Sequence, residues 1–154
     1  MHEVYLHHNA LQKAEKHFLK QAESRLEAMG LLSGQILSWK GQAYTVVNDY
    51  LTSENNATSV SVRFTRQAFS ELAKQYHSSP RQIIIGWMHS HPGYGCFLSS
   101  TDLATQAKYF TEPFHVALVA DPLKKEKGRM LLRAFKTTGP DSYRETSYAV
   151  IQKK

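Results

Sequence analysis

A buried strand that ends in two histidines and a proline is the feature that most constrains this chain. The stretch QIIIGWM (82–88) is almost continuously apolar, as expected of a strand whose two faces are both covered. His89 and His91 follow at once, and Pro92 ends the strand because it cannot donate a ladder hydrogen bond. Residues two apart on a strand share a face, roughly 7 Å apart at the backbone, so both imidazoles converge on one side of the sheet.

The chain after the histidines brings a carboxylate back towards them. The residues GYG turn the chain, and SSTD then starts a helix with Asp102 in its first turn. His89, His91 and Asp102 therefore offer three nitrogen or oxygen ligands. A catalytic zinc site needs three protein ligands and an open fourth position for water.

Each part of this pattern also has a purely structural explanation. SSTD predicts a capping box with Ser99 as the N-cap and Asp102 at the third helical position, and a His-x-His pair alone is more often a surface feature. A buried histidine without a hydrogen-bond or metal partner costs folding free energy, however, and these two follow a strand that is predicted to be buried. The joint pattern H-x-H-P, six residues, S-x-x-D fixes five positions, and its chance occurrence is on the order of one in 10⁷ per starting point. We therefore interpret the pattern as a metal site.

The rest of the chain alternates helices and strands, which predicts an α/β domain with a mixed sheet and helices packed against it. An apolar stripe ending at Leu26 predicts a long helix over 8–30, with Gly30 as its stop. Further helices are predicted over 65–79 and 99–110. Strands are predicted over 31–41, 42–51, 60–64, 81–91, 114–122 and 129–137, with a turn at 123–128 and a strand or helix at 147–152.

The composition excludes several classes of protein. The chain has 154 residues, which fits one domain over 1–154, and its single cysteine rules out an internal disulfide. No segment approaches the roughly 20 apolar residues of a membrane span, and no signal peptide is evident, so we expect a cytoplasmic protein. The formal net charge is +6, but the basic residues are scattered. They predict a solvated basic surface rather than a nucleic-acid site.

The motif resembles the signature H-S-H-P-x6-S-x-x-D of the JAMM (MPN-plus) zinc isopeptidases, and within that family the proteasome-lid branch. The segment LEAMGLLSG (26–34) is similar to the family's E-x-M-G segment, and 114–136 resembles its V-x-V-x-D-P…K-G strand pair. The resemblance implies a single MPN domain of cytidine-deaminase-like fold. Because the chain lacks the C-terminal extension of the eukaryotic subunits, we expect a stand-alone or archaeal-type homologue.

The resemblance implies a role for each site residue. His89, His91 and Asp102 would bind one catalytic zinc, and the hydroxyl of Ser99 would stabilise the tetrahedral oxyanion. The glutamate of E-x-M-G maps to Glu27, which would act as the general base and later protonate the leaving lysine amine.

The choice of Glu27 depends on the resemblance. Without it, Glu23, one turn earlier on the predicted helix, is an equal candidate, and a solvated helical role for Glu27 is favoured. The adjacent Met29-Gly30 pair decides for Glu27.

Two neighbours of the motif need their own interpretation. Cys96 could indicate a thiol protease or a fourth zinc ligand, but the proteasome-lid branch also has a cysteine in this loop, and we predict a packed loop residue. Trp87 is predicted to be a packing residue.

The implied substrate is the isopeptide bond after the C-terminal Gly-Gly of ubiquitin or a ubiquitin-like protein. The loops 52–59 and 93–97 are predicted to form the channel for that tail, with Val60, Phe64 and Phe97 as apolar contacts. The proteasome or a second MPN subunit is a further expected partner.

Two alternatives stay open: a protease that processes a small ubiquitin-like sulfur carrier, and a non-catalytic MPN scaffold. A zinc deaminase is disfavoured, since neither H-x-E nor P-C-x-x-C occurs in the sequence.

Overall fold

The computed structural model describes residues 1–52 and 82–152, and within them it shows eight strands and two helices. The predicted α/β class is confirmed. The predicted strand 60–64 and helix 65–79 lie outside the described residues. The strands are β1 (Val4–His7), β2 (Met29–Trp39), β3 (Gln42–Leu51), β4 (Ile83–Ser90), β5 (Val116–Glu126), β6 (Arg129–Gly139), β7 (Ser142–Thr146) and β8 (Tyr148–Ile151), and the helices are α1 (His8–Ala22) and α2 (Ser100–Tyr109).

All eight described strands form one mixed sheet in the order β7-β6-β5-β4-β2-β3-β1-β8. The pairs β4–β5, β1–β3 and β1–β8 are parallel, and the other neighbours are antiparallel. Only Ser147 separates β7 from β8, although these strands lie at opposite ends of the sheet. One extended segment therefore joins both edges, which curves the sheet strongly. Across the junction, Val4 donates a hydrogen bond to Ser147 O (3.2 Å) and Arg144 pairs with Glu3 (3.1 Å).

Helix α1 covers one face of this curved sheet. Its buried residues Ala10, Leu11, Ala14, Phe18 and Ala22 are all apolar, as the predicted stripe required. The first four of them pack with core residues of six strands, among them Val4, Leu6, Leu32, Val47, Met88, Leu118 and Leu132. The largest apolar cluster of the described chain therefore lies between α1 and the sheet.

The predicted end of the first helix is wrong. The helix stops at Ala22, because the chain then turns through Arg25, whose φ of 56° is incompatible with a continuing helix. Leu26 is consequently only partly buried, and Gly30 is a strand residue. A side chain at Gly30 would collide with Leu51 O and the Tyr50 ring, so β3 approaches β2 too closely there for any other residue.

The opposite face of the sheet is covered by α2. A second apolar cluster lies on this face and contains Trp87, together with Met29, Leu31, Phe110 and Val119. Trp87 is fully buried there, which confirms the predicted packing role, and its indole Nε1–H donates to Gln106 Oε1 at 2.6 Å. Met88, the next residue of β4, belongs to the first cluster. Both faces of β4 are therefore buried, as its continuous apolar run predicts.

Three smaller differences concern the strands. The turn predicted over 123–128 is shorter in the structure, because β5 continues to Glu126. The turn consists of Lys127 and Gly128, which both take left-handed conformations. The tail 147–152, predicted as strand or helix, contains β8. Strands β1 and β7 were not predicted: the four residues of β1 show no alternating pattern, and no element was assigned to 142–146. Within 1–52 and 82–152, no helix has the length and apolarity that a bilayer crossing requires.

Candidate metal centre

The end of β4 is where three parts of the chain meet. In the antiparallel β2–β4 register, Met29 lies opposite His89. One position further, Ser90 bonds both polar groups of Ala28: its N–H donates to Ala28 O, and its Oγ accepts from Ala28 N–H, each at 2.9 Å. Glu27 is therefore held next to the residues that follow β4.

The start of α2 supplies the carboxylate. Ser99 Oγ accepts a hydrogen bond from Asp102 N–H at 3.1 Å, and Ser99 N–H donates to Asp102 Oδ2 at 2.9 Å. The predicted capping box is confirmed. It fixes the rotamer of Asp102 and aims its Oδ2 at the end of β4.

The predicted ligand residues His89, His91 and Asp102 come together in a buried cluster. Asp102 Oδ2 lies 3.0 Å from His89 Nε2 and 3.1 Å from His91 Nε2, and the three ligand atoms all lie within 4.8 Å of one another. Zinc–ligand distances of about 2.0–2.1 Å in a tetrahedral site place neighbouring ligand atoms about 3.3 Å apart. The cluster therefore has dimensions suited to a metal ion.

The ring of His89 supplies the best test of that fit. The ring is fully buried and stacks on Trp87 with a centroid distance of 4.2 Å. Neither of its nitrogens has a hydrogen-bond partner of good geometry among the described residues, although Asp102 Oδ2 lies 3.0 Å from Nε2. An unpaired buried nitrogen is costly. A metal ion at Nε2 would satisfy one of the two.

The electrostatics of the cluster favour the ligand forms of two residues. Burial lowers the pKa of His89, although Asp102 opposes the shift. Burial would raise the pKa of Asp102, but the two histidines and the Ser99 N–H outweigh it and hold that pKa far below its usual range. Neutral imidazole and ionised carboxylate are the forms that bind metals. For His91, burial acts to lower the pKa, but Asp102 and Glu27 together raise it.

Glu27 is the second carboxylate of the site. Its side chain is buried, with 4% of the residue exposed, and its Oε1 lies 4.0 Å from His91 Nε2. The rival candidate, Glu23, is the exposed C-cap residue of α1. Neither glutamate lies within the helix, contrary to prediction, and the structure brings only Glu27 to the cluster.

Two more predicted residues lie at the rim of the site. Ser99 is half-buried, and its hydroxyl accepts a capping bond but makes no donor bond within the described residues. Phe97 is 40% exposed, and its ring centroid lies 4.7 Å from that of His91. The predicted contacts Val60 and Phe64, and the loop 52–59 apart from Thr52, lie outside the described residues.

Cys96 is not part of the ligand cluster. Its Sγ lies 3.7 Å from Leu131 O, and its side chain is half-buried. Burial first, and then the charge of Asp121, raise the pKa of this thiol to about 11. Among the described residues, the grouping with metal-ligand geometry consists of His89, His91 and Asp102. The packing role predicted for Cys96 agrees with this geometry.

Sequence reasoning missed two buried polar residues near the site. Gln106 anchors the indole of Trp87, which in turn supports the ring of His89. Asp121 accepts hydrogen bonds from the loop between the ligands. In the sequence, Asp121 stands out only as the aspartate of the Asp121-Pro122 pair at the end of an apolar strand, and that pattern predicts no function for it.

An α/β domain whose buried His-His-Asp cluster could hold a metal ion has the features of the class of metal-binding domains. The chain is, more specifically, a member of the JAB1/Mov34/MPN/PAD-1 ubiquitin protease family, whose model matches residues 1–112. The predicted family is thereby confirmed.

Several curated relatives are similar over most of the chain. The 26S proteasome non-ATPase regulatory subunit 14 of Caenorhabditis elegans is 35% identical over 145 residues, covering 90% of this chain and 44% of that protein. Ubiquitin carboxyl-terminal hydrolase RPN11 of Saccharomyces cerevisiae is 36% identical over 141 residues, covering 86% and 43%. COP9 signalosome complex subunit 5 of Debaryomyces hansenii is 33% identical over 154 residues, covering 95% and 31%. The chain thus spans less than half the length of these relatives.

Proposed function

We propose that this protein is a zinc-dependent isopeptidase that hydrolyses the bond between the C-terminal Gly-Gly of ubiquitin, or a ubiquitin-like protein, and a substrate lysine. The observation that carries the proposal is the buried cluster of His89, His91 and Asp102 with Glu27 beside it. The name ubiquitin carboxyl-terminal hydrolase, given to a 36% identical relative, supports the choice of substrate.

Zinc is the metal that best suits this set of donors. Two imidazole nitrogens and one carboxylate oxygen are ordinary zinc ligands, and three protein ligands leave one position open, as in catalytic sites. When bound, the ion would lower the pKa of a water towards neutrality and polarise the scissile carbonyl. His89, His91 and Asp102 would hold it.

Glu27 would carry the proton through the reaction. Its buried Oε1 lies 4.0 Å from His91 Nε2 and is not one of the three ligand atoms, which supports a role as a base for a water at the open fourth position. It would take a proton from the attacking water and give it to the departing lysine ε-amine. No covalent intermediate is needed, which agrees with a Cys96 thiol whose pKa is raised to about 11.

Ser99 would stabilise the negative charge that develops on the carbonyl oxygen. Its hydroxyl already accepts the capping bond from Asp102 N–H, so the O–H remains available as a donor. The cap also fixes the position of the hydroxyl before substrate binds, and a preorganised donor is worth more than a mobile one. Capping and catalysis are therefore compatible.

The shape of the site suits a narrow substrate. The three ligands are buried, so an extended tail with small residues reaches them more easily than a folded surface does. We propose that the loop 93–97, through Phe97, contacts this tail. Val60 and Phe64 remain predicted contacts, and the assignment of 1–154 to a single domain remains a prediction.

The partners are proposed from the relatives. Two of them are named as proteasome regulatory subunits or hydrolases of ubiquitin, which supports ubiquitin conjugates and the proteasome as partners of this chain. A second MPN subunit remains a prediction from the sequence.

The test is cleavage of a lysine-linked ubiquitin dimer by the purified protein, with and without a zinc chelator. Cleavage that the chelator abolishes and added zinc restores is the expected result. A parallel reaction offers a lysine conjugate of a ubiquitin-like sulfur carrier, because the sulfur-carrier alternative shares every site residue. Zinc-loaded protein that cleaves neither substrate would contradict the proposal and favour the non-catalytic scaffold.

A further inference from the structure

Asp121 is a buried carboxylate at the end of β5, the strand that runs parallel to β4. The residue is fully buried, and its carboxylate accepts backbone hydrogen bonds from Gly93 (2.9 Å), Gly95 (2.8 Å) and Leu123 (3.0 Å). The ammonium group of Lys124 lies 3.9 Å away. A buried charge is tolerated when several donors surround it, so Asp121 fixes these amides in place.

Two of the three amides belong to the loop that connects the metal ligands. Gly93 and Gly95 both have φ values of 85°, a left-handed conformation that favours glycine. Between them, Tyr94 N–H donates to His91 O at 3.1 Å. The loop thus forms a short arch next to His91, and both glycine amides are held by Asp121.

Gly95 links Asp121 to the ring of His91. The Gly95 N–H donates to Asp121 Oδ2, and the Gly95 carbonyl oxygen lies 3.2 Å from His91 Nδ1. A hydrogen bond from Nδ1–H to a carbonyl fixes the orientation of an imidazole and leaves Nε2 as the metal-binding nitrogen. His91 Nε2 is the atom that faces Asp102, at 3.1 Å. One residue, Gly95, therefore contacts Asp121 through its backbone N–H and His91 through its carbonyl oxygen.

We propose that Asp121 is a positioning residue for the metal ligand His91, acting through the backbone of Gly95. This inference rests on the proposed metal site. Asp121 lies outside the ligand cluster, so its effect is on the direction of His91 Nε2 and not on the number of ligands. Replacing such outer hydrogen-bond partners lowers metal affinity about 10–100-fold in other metal sites.

The test measures metal binding by Asp121→Asn and Asp121→Ala. Zinc affinity is measured by competition with a chromophoric chelator, and the ligand geometry by the visible absorption bands of the Co²⁺-loaded protein. We expect zinc to bind about 10–100-fold more weakly and the Co²⁺ bands to change. Asp121→Asn keeps the size of the side chain, so it decides the question if Asp121→Ala does not fold.

Leu132→Ala is the matched control. Leu132 is a buried residue of β6 in the apolar cluster between α1 and the sheet. Truncating its side chain lowers the stability of the fold but removes no contact of the loop 93–95 that is described above. This variant should keep the affinity and the Co²⁺ spectrum of the unmodified protein. If the Asp121 variants have melting temperatures as low as that of Leu132→Ala but bind both metals normally, the positioning role of Asp121 is refuted and the proposed metal site is not. An unmodified protein that binds neither metal would overturn the proposed function and this inference with it.

Discussion

Glu27 Oε1 lies 4.0 Å from His91 Nε2, although the two residues are 64 positions apart in the sequence. The β2–β4 register produces this proximity, because it pairs Met29 with His89 and so brings the residue two positions before Met29 to the residue two positions after His89. A shift of this register by one residue would turn Glu27 to the other face. The placement of the proposed general base is thus a property of the sheet.

Replacing Glu27 by Gln should separate metal binding from turnover. The amide has nearly the same shape but cannot accept the proton of the attacking water. We expect the zinc content to stay normal while kcat falls about 10²–10⁴-fold. Zinc is measured by mass spectrometry, and kcat with a fluorogenic ubiquitin substrate. Glu23→Gln, which alters an exposed residue, is the control and should remain fully active; an active Glu27→Gln would refute the assignment of the base.

Loss of a ligand should abolish the effect of metal on stability. A ligand that binds only the folded state stabilises it by about 2.7 kcal/mol when its concentration is 100 times its Kd. We expect zinc to raise the melting temperature of the unmodified protein and to have no such effect on His89→Ala or Asp102→Asn. His115→Ala, which removes a half-buried histidine outside the cluster, should respond to zinc normally. Zinc-dependent stabilisation of His89→Ala would contradict the ligand assignment.

The sequence predicts the grouping of His89, His91 and Asp102 better than it predicts the ends of the helices and strands. The spacing of His89 and His91 and the capping box of Ser99 and Asp102 are local patterns, so short-range rules suffice. The end of α1 is different, because the residues after Ala22 are compatible with a helix. They form a turn through Arg25 instead, and the chain then bonds to β4 through Ala28 and Ser90. Long-range pairing outweighs local propensity there.

The missed features share this cause. Strand β1 is four residues long and exists through its parallel pairing with β3 and β8, which no local pattern encodes. Asp121 bonds Gly93 and Gly95, which precede it by 28 and 26 residues. A buried aspartate after an apolar strand is visible in the sequence, but the amides that it holds are identified only by the fold.

Ser99 variants should separate capping from catalysis. Ser99→Ala removes the capping oxygen and the donor hydroxyl, whereas Ser99→Gly removes the same hydroxyl but places a better N-cap residue there. We expect Ser99→Ala to lower the free energy of unfolding by about 1 kcal/mol, and Ser99→Gly to lower it by only a few tenths of a kcal/mol. Both should lower kcat about 10²–10³-fold. Urea denaturation and kcat at saturating substrate are the measurements; a wild-type kcat in either variant would exclude the oxyanion role.

Phe97→Ala should affect substrate binding more than chemistry. The ring is partly exposed next to His91, so substrate can bury it further. Losing a contact worth roughly 1–2 kcal/mol in both the ground and transition states should raise KM about tenfold and leave kcat nearly unchanged. Trp39→Ala is the control, because Trp39 is an exposed aromatic residue at the opposite end of β2 from Met29. Equal effects of the two changes would contradict a specific contact.

Cys96 should be chemically quiet in the folded protein. Its pKa of about 11 leaves about one thiol in a thousand ionised at pH 8, and reactivity should increase as the pH rises towards that pKa. Iodoacetamide labelling, followed by mass spectrometry, should therefore be slow in native protein and fast in urea. Cys96→Ser should keep zinc and full activity. A folded, zinc-bound but inactive Cys96→Ser would instead identify Cys96 as a nucleophile, since loss of a packing contact alone would lower stability and not kcat.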